Sequence, residues 1–184
     1  MVIERGPWKC LSSELKYQNP WISVREDRVE RPDGKEGIYG VVAPKGAAIG
    51  IVPVSSTGEI YLVGQYRYAM EEYSWEIVEG GSEVGENYEQ TAHRELLEEA
   101  GIRAGRLSPL GGEVHTSNCF CSERAYLFLA EELEFGEPNP DGTEVIEVKK
   151  VTLLEALAML DEGIIKDSLS IIGLLRYWKL VSKS

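Results

Sequence analysis

The chain has 184 residues, of which 43% are hydrophobic, and a formal net charge of −12; that is enough to bury one substantial core without staples. So acidic a chain makes a poor phosphate-backbone binder, because nucleic-acid affinity depends on clustered Lys and Arg, and a nucleic-acid partner is excluded. The opening MVIERGPWKC lacks a basic-then-apolar leader pattern, no apolar run approaches the ~20 residues that cross a bilayer, and three unframed cysteines suit a reducing compartment, so a cytoplasmic protein without a membrane partner is expected.

Residues 1–43 read as a small antiparallel β unit ahead of a main domain at 44–184. Trp21 to Glu26 alternates, and Arg31-Pro32-Asp33-Gly34-Lys35 is a turn before the strand-like Gly37 to Val42. A sheet this small is marginal alone and must dock on something larger. Residues 47–65 predict a second hairpin: Ala47 to Val54 is apolar throughout, Ser55 to Gly58 turns, and Ile60 to Val63 follows. Tyr66-Arg67-Tyr68 then sets a guanidinium between two aromatics, a pattern suited to phosphate recognition and ring stacking, although a structural ion pair for Arg67 fits equally. In Ser74 to Glu79 the alternation turns Trp75 and Ile77 to one face and Glu76 and Val78 to the other, so Glu76 is a candidate to face a bound cation.

Gly80 to Ile102, GGSEVGENYEQTAHRELLEEAGI, carries the strongest pattern. Asn87 with Gln90 has capping-box spacing, so a helix is predicted from Tyr88, and Gly101 is placed to end it in a left-handed conformation. At about 100° per residue Glu95, Glu98 and Glu99 share one arc, with Leu96, Leu97 and Ala100 on the other side as core and His93 turned inward as a packed histidine. Like charges at this spacing oppose the helix, and a divalent cation reverses that sign, since Mg²⁺ takes carboxylate oxygens, water and substrate phosphates; a solvated acidic face is the bland alternative. Gly80 lets the backbone turn sharply and offers a carbonyl as a further ligand. Glu86 is positioned to pair with Arg94, which would orient the carboxylates from behind.

Downstream, Leu107 to Val114 is a glycine-broken strand and Arg124 to Ala130 a clearer one, separated by the polar loop His115-Thr116-Ser117-Asn118. Cys119 and Cys121 lie near His115, but the paired spacing of a zinc site is missing. Glu137 to Glu144 is a turn-rich acidic loop, and Val145 to Val151 resumes strand character. Thr152 with Glu155 is another capping box, opening a helix that Gly163 ends; Asp167-Ser168 opens a last helix through Trp178, with Leu169, Ile172, Leu175 and Trp178 as its core stripe.

Gly80, five residues, Glu86, seven residues, then Arg94-Glu95-Leu96-Leu97-Glu98-Glu99-Ala100-Gly101-Ile102 resembles the signature of the Nudix hydrolases, G-x5-E-x7-R-E-U-x-E-E-x-G-U with U aliphatic, and fills every fixed position. The resemblance implies an α/β fold, a Nudix-type α/β/α sandwich with a mixed sheet plus the small N-terminal antiparallel unit. It implies metal-dependent cleavage of a diphosphate linkage, with Gly80, Glu95, Glu98 and Glu99 holding Mg²⁺ or Mn²⁺. In the ADP-ribose and nucleoside-diphosphate-sugar branch an N-terminal strand unit serves dimerisation, which implies a homodimer through residues 1–43. There an Arg in a run like Gly64-Gln65-Tyr66-Arg67 is associated with substrate binding, pointing to Arg67, beside which Tyr66 and Glu76 stand as substrate candidates by their own chemistry, and a loop glutamate is implicated as base; Glu144 is the nearest match, with Asp141 or Glu147 as alternatives. The expected substrate is a small nucleotide sugar, ADP-ribose first, going to AMP and ribose 5-phosphate. Nucleoside triphosphates or dinucleoside polyphosphates are the enzymatic alternative, and a nucleotide-sugar sensor that does not cleave is the alternative of another class.

Overall fold

A computed structural model describes residues 2–137 and 145–183. The chain divides into two compact units, one of Met1–Ala47 with His115–Arg124 and one of Ala48–Val114 with Ala125–Ser184. In the first, β1 (Ile3–Arg5), β2 (Trp8–Gln18), β3 (Ile22–Glu30) and β4 (Glu36–Pro44) pair antiparallel in chain order. The turn between β3 and β4 closes as its sequence predicts: Arg31 N–H donates to Lys35 O at 2.8 Å and Gly34 takes φ +78°. Segment 115–124 adds to the free edge of β4, with Val42 N–H donating to Phe120 O at 2.8 Å and Ser122 N–H to Val42 O at 2.9 Å. Leu15, Tyr17, Trp21 and Ile38 stay exposed on this unit.

Among the described residues the second unit holds two sheets and three helices. One sheet has the order β10 (Val114–His115), β11 (Arg124–Phe135), β5 (Ala48–Pro53), β8 (Val78–Gly81), with β9 (Ile102–Pro109) antiparallel on β11. β11 runs parallel to β5, from Ala125 opposite Ala48 to Ala130 opposite Pro53, so the sheet is mixed. The other is antiparallel, with β6 (Ile60–Arg67) between β12 (Glu147–Val151) and β7 (Glu72–Glu76). β5 and β6 are therefore not the hairpin expected from their adjacency. A single bridge, Val54 to Ile60, links their ends, and each leaves for its own sheet. A strand apolar at every position needs cover on both faces, and β5 finds it as an inner strand between β11 and β8.

Helices α1 (Tyr88–Ala100), α2 (Leu153–Asp161) and α3 (Ser168–Val181) follow their predicted caps. A Cβ on Gly50 of β5 would meet Leu169 of α3, whereas one on Gly80, opposite Ile49 of the same strand, would meet Glu95 of α1. Neighbouring strand positions point to opposite faces, so α1 and α3 cover opposite sides of the mixed sheet. Ile51 and Val52 of β5, Ile77, Leu127, Leu169 and Leu174 are among the buried side chains between these layers. The core stripe of α3 is one position off expectation: Leu169, Ser170, Gly173, Leu174 and Tyr177 are buried, while Leu175 and Trp178 are exposed. His93 is also exposed rather than packed, because the buried arc of α1 runs through Thr91, Ala92, Glu95, Leu96, Glu99 and Ala100. Among the described residues no helix is long and apolar enough to cross a membrane.

Candidate active site

The site is built on α1. Asn87 accepts from Gln90 N–H at 2.9 Å, the Gln90 side chain accepts from Asn87 N–H at 2.9 Å, and Gly101 ends the helix at φ +64°. Two local caps thus fix the phase of every carboxylate between them. The acidic arc is not a solvated face: Glu95 and Glu99 are 8% and 3% exposed, and Glu98 is half-buried.

Arg94 organises the outer part. Its Nε and Nη2 donate to Glu86 at 2.8 and 3.0 Å, Nη1 to Glu95 at 2.7 Å and Glu98 at 3.0 Å, and Nη2 to the Gly81 carbonyl at 2.9 Å. The expected Glu86–Arg94 pair is present, and one guanidinium spans three carboxylates. The Arg94 bond, reinforced by Glu83 N–H and the Thr91 hydroxyl, pulls the Glu86 pKa down to about 2 from its ordinary 4.5. A depressed folded-state pKa stabilises above the unfolded value and loses that contribution as pH falls through the folded one. We therefore expect the stability difference between the wild-type chain and Glu86→Gln, read by urea unfolding in chelator, to shrink as pH falls from above 4.5 to about 2. A difference independent of pH across that window would contradict the pairing.

Gly80 and Glu99 define the inner part. A Cβ at Gly80 would overlap the carboxyl carbon and both oxygens of Glu95, so glycine is what lets that carboxylate lie against β8. Glu99 accepts from Glu79 N–H at 3.1 Å. The Glu79 carboxylate accepts from the Ser170 hydroxyl of α3 at 2.8 Å; burial first, then the Asp167 carboxylate, raise its pKa well above the ordinary range. Arg67 grips Glu76 through Nε and Nη2; that bond first, and then the charges of Glu76, Glu79 and Glu99, hold the guanidinium protonated.

Arg67 and Glu76 stand in the wall of a cavity of about 640 Å³ together with Tyr68, Met70, Glu72 and Ser74 from β6, β7 and their turn, and Lys166 and Asp167 at the start of α3. Arg67 in this wall is also under the charges of Glu79 and of Glu99 on α1. Tyr66, the other aromatic candidate, is exposed and pairs across with Tyr73, on the face of β6 opposite Arg67. Glu144 and Asp141 lie outside the described residues, and Glu147 is exposed on β12. Sequence reasoning passed over Glu79, Asp167, Lys166 and Glu72. Asp167 was legible as a helix cap, but nothing local shows that the cap faces a cavity.

Among the described residues no three His, Cys, Asp or Glu side chains already converge as a metal cage, at His115, Cys119 and Cys121 or elsewhere. By donor chemistry, Glu95 lying in the space left by Gly80, Glu98 beside it and Glu99 one turn on fit a hard divalent cation, which takes oxygen ligands and retains water.

Residues 8–42 match the nucleoside diphosphate sugar hydrolase N-terminal domain and residues 44–170 match the NUDIX domain. The chain is 35% identical over 162 residues to an ADP-ribose pyrophosphatase of Bacillus subtilis, covering 87% of this chain and 86% of that one. It is 32% identical over 171 residues to an ADP-ribose pyrophosphatase of Mycobacterium tuberculosis, covering 91% and 82%, and 30% identical over 167 residues to a methanol dehydrogenase activator of Bacillus methanolicus, covering 90% and 89%. A crystal structure of an ADP compounds hydrolase superposes with a TM-score of 0.84 at 20% identity, over 95% of this chain and 94% of that one, and so shares the fold.

Proposed function

Because the chain belongs to the Nudix hydrolase family, we propose that it cleaves the diphosphate linkage of nucleoside-diphosphate sugars, ADP-ribose foremost, to give AMP and ribose 5-phosphate. It is a Nudix hydrolase of ADP-ribose pyrophosphatase type. The observation that carries the substrate is the cavity of about 640 Å³ beside Arg67 and Glu76, which offers room for an organic group beyond a phosphate. Relatives named as ADP-ribose pyrophosphatases support the same reading over nearly the whole chain.

Nudix hydrolases generally use divalent metal ions. Here Mg²⁺, with Mn²⁺ as substitute, would be held by Glu95, Glu98, Glu99 and the Gly80 carbonyl. Bound there, it supplies charge neutralisation on the phosphate oxygens and a more acidic water. The chain's own groups do the rest: Arg94, backed by Glu86, fixes Glu95 and Glu98, Arg67 presented by Glu76 steadies the substrate, and Glu144 takes the proton of the attacking water. Chemistry of this kind rests on alignment and charge, which accounts for a site rich in acids.

The test is a substrate panel of ADP-ribose, other nucleotide sugars, nucleoside triphosphates and dinucleoside polyphosphates with Mg²⁺. Faster turnover of ADP-ribose than of any triphosphate is expected; pyrophosphate release from triphosphates as the main activity would move the assignment there, and binding without turnover would make the chain a sensor. We further propose that residues 1–43 dimerise the chain, supported by exposed Leu15, Tyr17, Trp21 and Ile38 on one small unit. Light scattering of the intact chain should return twice the 20.5 kDa chain mass; a monomer would overturn it.

A further inference from the structure

We propose that Ser170 of α3 is a positioning residue for the divalent cation: its hydroxyl holds β8 from the far face of the sheet, and β8 in turn presents Glu79 N–H to Glu99 and Gly80 to Glu95. The inference rests on the metal-dependent reading of the α1 carboxylates above and extends that site to a helix on the opposite side of the sheet.

Ser170 is fully buried. A buried hydroxyl must use its donor and acceptor capacity inside the fold, and this one uses both on a single short stretch of chain. It accepts from Ile77 N–H at 3.0 Å and donates to the Glu79 carboxyl at 2.8 Å. Its own N–H donates at 2.8 Å to Asp167, the cap of α3, so the first turn of the helix fixes where the hydroxyl stands. Ile77 is the point at which the chain changes sheets. β7 ends at Glu76, opposite Val63 of β6, and β8 begins at Val78, opposite Ile51 of β5, so Ile77 belongs to neither ladder. Its buried N–H finds its acceptor on α3 rather than on a neighbouring strand.

The same stretch carries the contacts that shape the acidic arc. Glu79 N–H donates to Glu99 at 3.1 Å, and Gly80 leaves the space that the Glu95 carboxylate fills. Successive strand residues point to opposite faces, so the Glu79 side chain goes to α3 and the Gly80 position to α1. A shift of β8 across the sheet therefore moves an N–H donor and a steric wall against two carboxylates at once. The ladder to β5 holds β8 within the plane of the sheet, with Gly80 opposite Ile49. Ser170 holds it in the other direction, the one that faces α1. Gly173, one turn further along α3, lets the helix come so close: a Cβ there would stand 3.1 Å from Ile77 and 3.2 Å from Val52. Hydrogen bonds one step behind a ligand orient it and set how tightly the cation is held.

The experiment is titration of Mn²⁺ into the substrate-free chain, read by electron paramagnetic resonance of the unbound ion, for the wild type, Ser170→Ala, Ser170→Cys and Leu174→Ala. Alanine removes the hydroxyl, and cysteine fills its place with a weaker hydrogen-bonding group. Leu174→Ala takes buried bulk from the same helix without touching the Ile77 and Glu79 bonds, and so controls for a loosened α3. On chains shown to be folded by circular dichroism, we expect Mn²⁺ to bind Ser170→Ala about tenfold more weakly, Ser170→Cys to fall between, and Leu174→Ala to match the wild type. The Mg²⁺ concentration that half-activates ADP-ribose cleavage should rise in the same order. Wild-type Mn²⁺ affinity in Ser170→Ala, or in Ser170→Cys should the alanine chain not fold, would overturn the proposal. An equal loss in Leu174→Ala would overturn it too, since any loosening of α3 would then suffice. Because Mn²⁺ binding needs no turnover, a chain that follows this order yet leaves ADP-ribose intact defeats the substrate reading while leaving Ser170 in place. A wild type that holds no Mn²⁺ defeats both.

Discussion

Glu99→Gln is expected to lower kcat for ADP-ribose by roughly a thousandfold while leaving the fold and thermal midpoint close to wild type. Glu99 is 3% exposed and accepts Glu79 N–H at 3.1 Å. The amide oxygen of glutamine can still accept that bond, so α1 and β8 stay in register. What is lost is one negative charge at the inner end of the acidic arc, where a divalent cation needs a charged oxygen ligand. Initial rates of AMP release, with circular dichroism on the same samples, provide the check. A Glu99→Gln protein with wild-type kcat would remove Glu99 from the mechanism.

Gly80→Ala is expected to cost about 1–3 kcal/mol of stability and roughly a hundredfold in kcat. The added Cβ would occupy the space of the Glu95 carboxylate. β8 has little freedom to yield, because it is paired along β5 with Gly80 opposite Ile49. Glu95 must swing out instead, breaking its 2.7 Å bond to Arg94 and leaving the arc. Gly81→Ala is the matched control, since a Cβ there meets nothing within 4 Å. Urea unfolding and kcat for the two variants should differ clearly, and equal behaviour would mean that Gly80 matters only for chain flexibility.

The two substitutions act on features of unequal visibility in the sequence. The limits of α1 were legible because caps are local: Asn87 and Gln90 are three apart and Gly101 directly follows the last turn. The Glu86–Arg94 pair was legible for a related reason, since both residues belong to one short loop and helix. Burial of Glu95 and Glu99 was not, because carboxylates on a helix read as its wet face unless the partners that bury them are known, and Gly80 and Glu79 come from another strand. The fate of β5 and β6 shows the same limit. Adjacency and a turn suggested a hairpin, whereas the deciding partner of β5 is β11, more than seventy residues on in the chain.

Helix α3 misled for a different reason. Leu169, Ile171, Ile172, Leu174, Leu175, Tyr177 and Trp178 leave its phase open, since nearly any stripe is apolar. The small residues carry the information: Ser170 bonds Ile77 N–H and Glu79, and a Cβ on Gly173 would sit 3.1 Å from Ile77 and 3.2 Å from Val52. Close packing demanded little residues where large ones seemed the natural core. The cavity was least legible of all. Its walls join Arg67 to Glu76 with Lys166 and Asp167, about a hundred residues away, and only the folded chain brings them to one place.

Diphosphate cleavage of a nucleotide sugar is open to direct observation by phosphorus NMR of ADP-ribose incubated with the intact chain and Mg²⁺. The diphosphate resonances should vanish, AMP and ribose 5-phosphate should rise together in equal amounts, and chelator should stop the conversion at once. Diphosphate resonances that persist unchanged with metal present would contradict it.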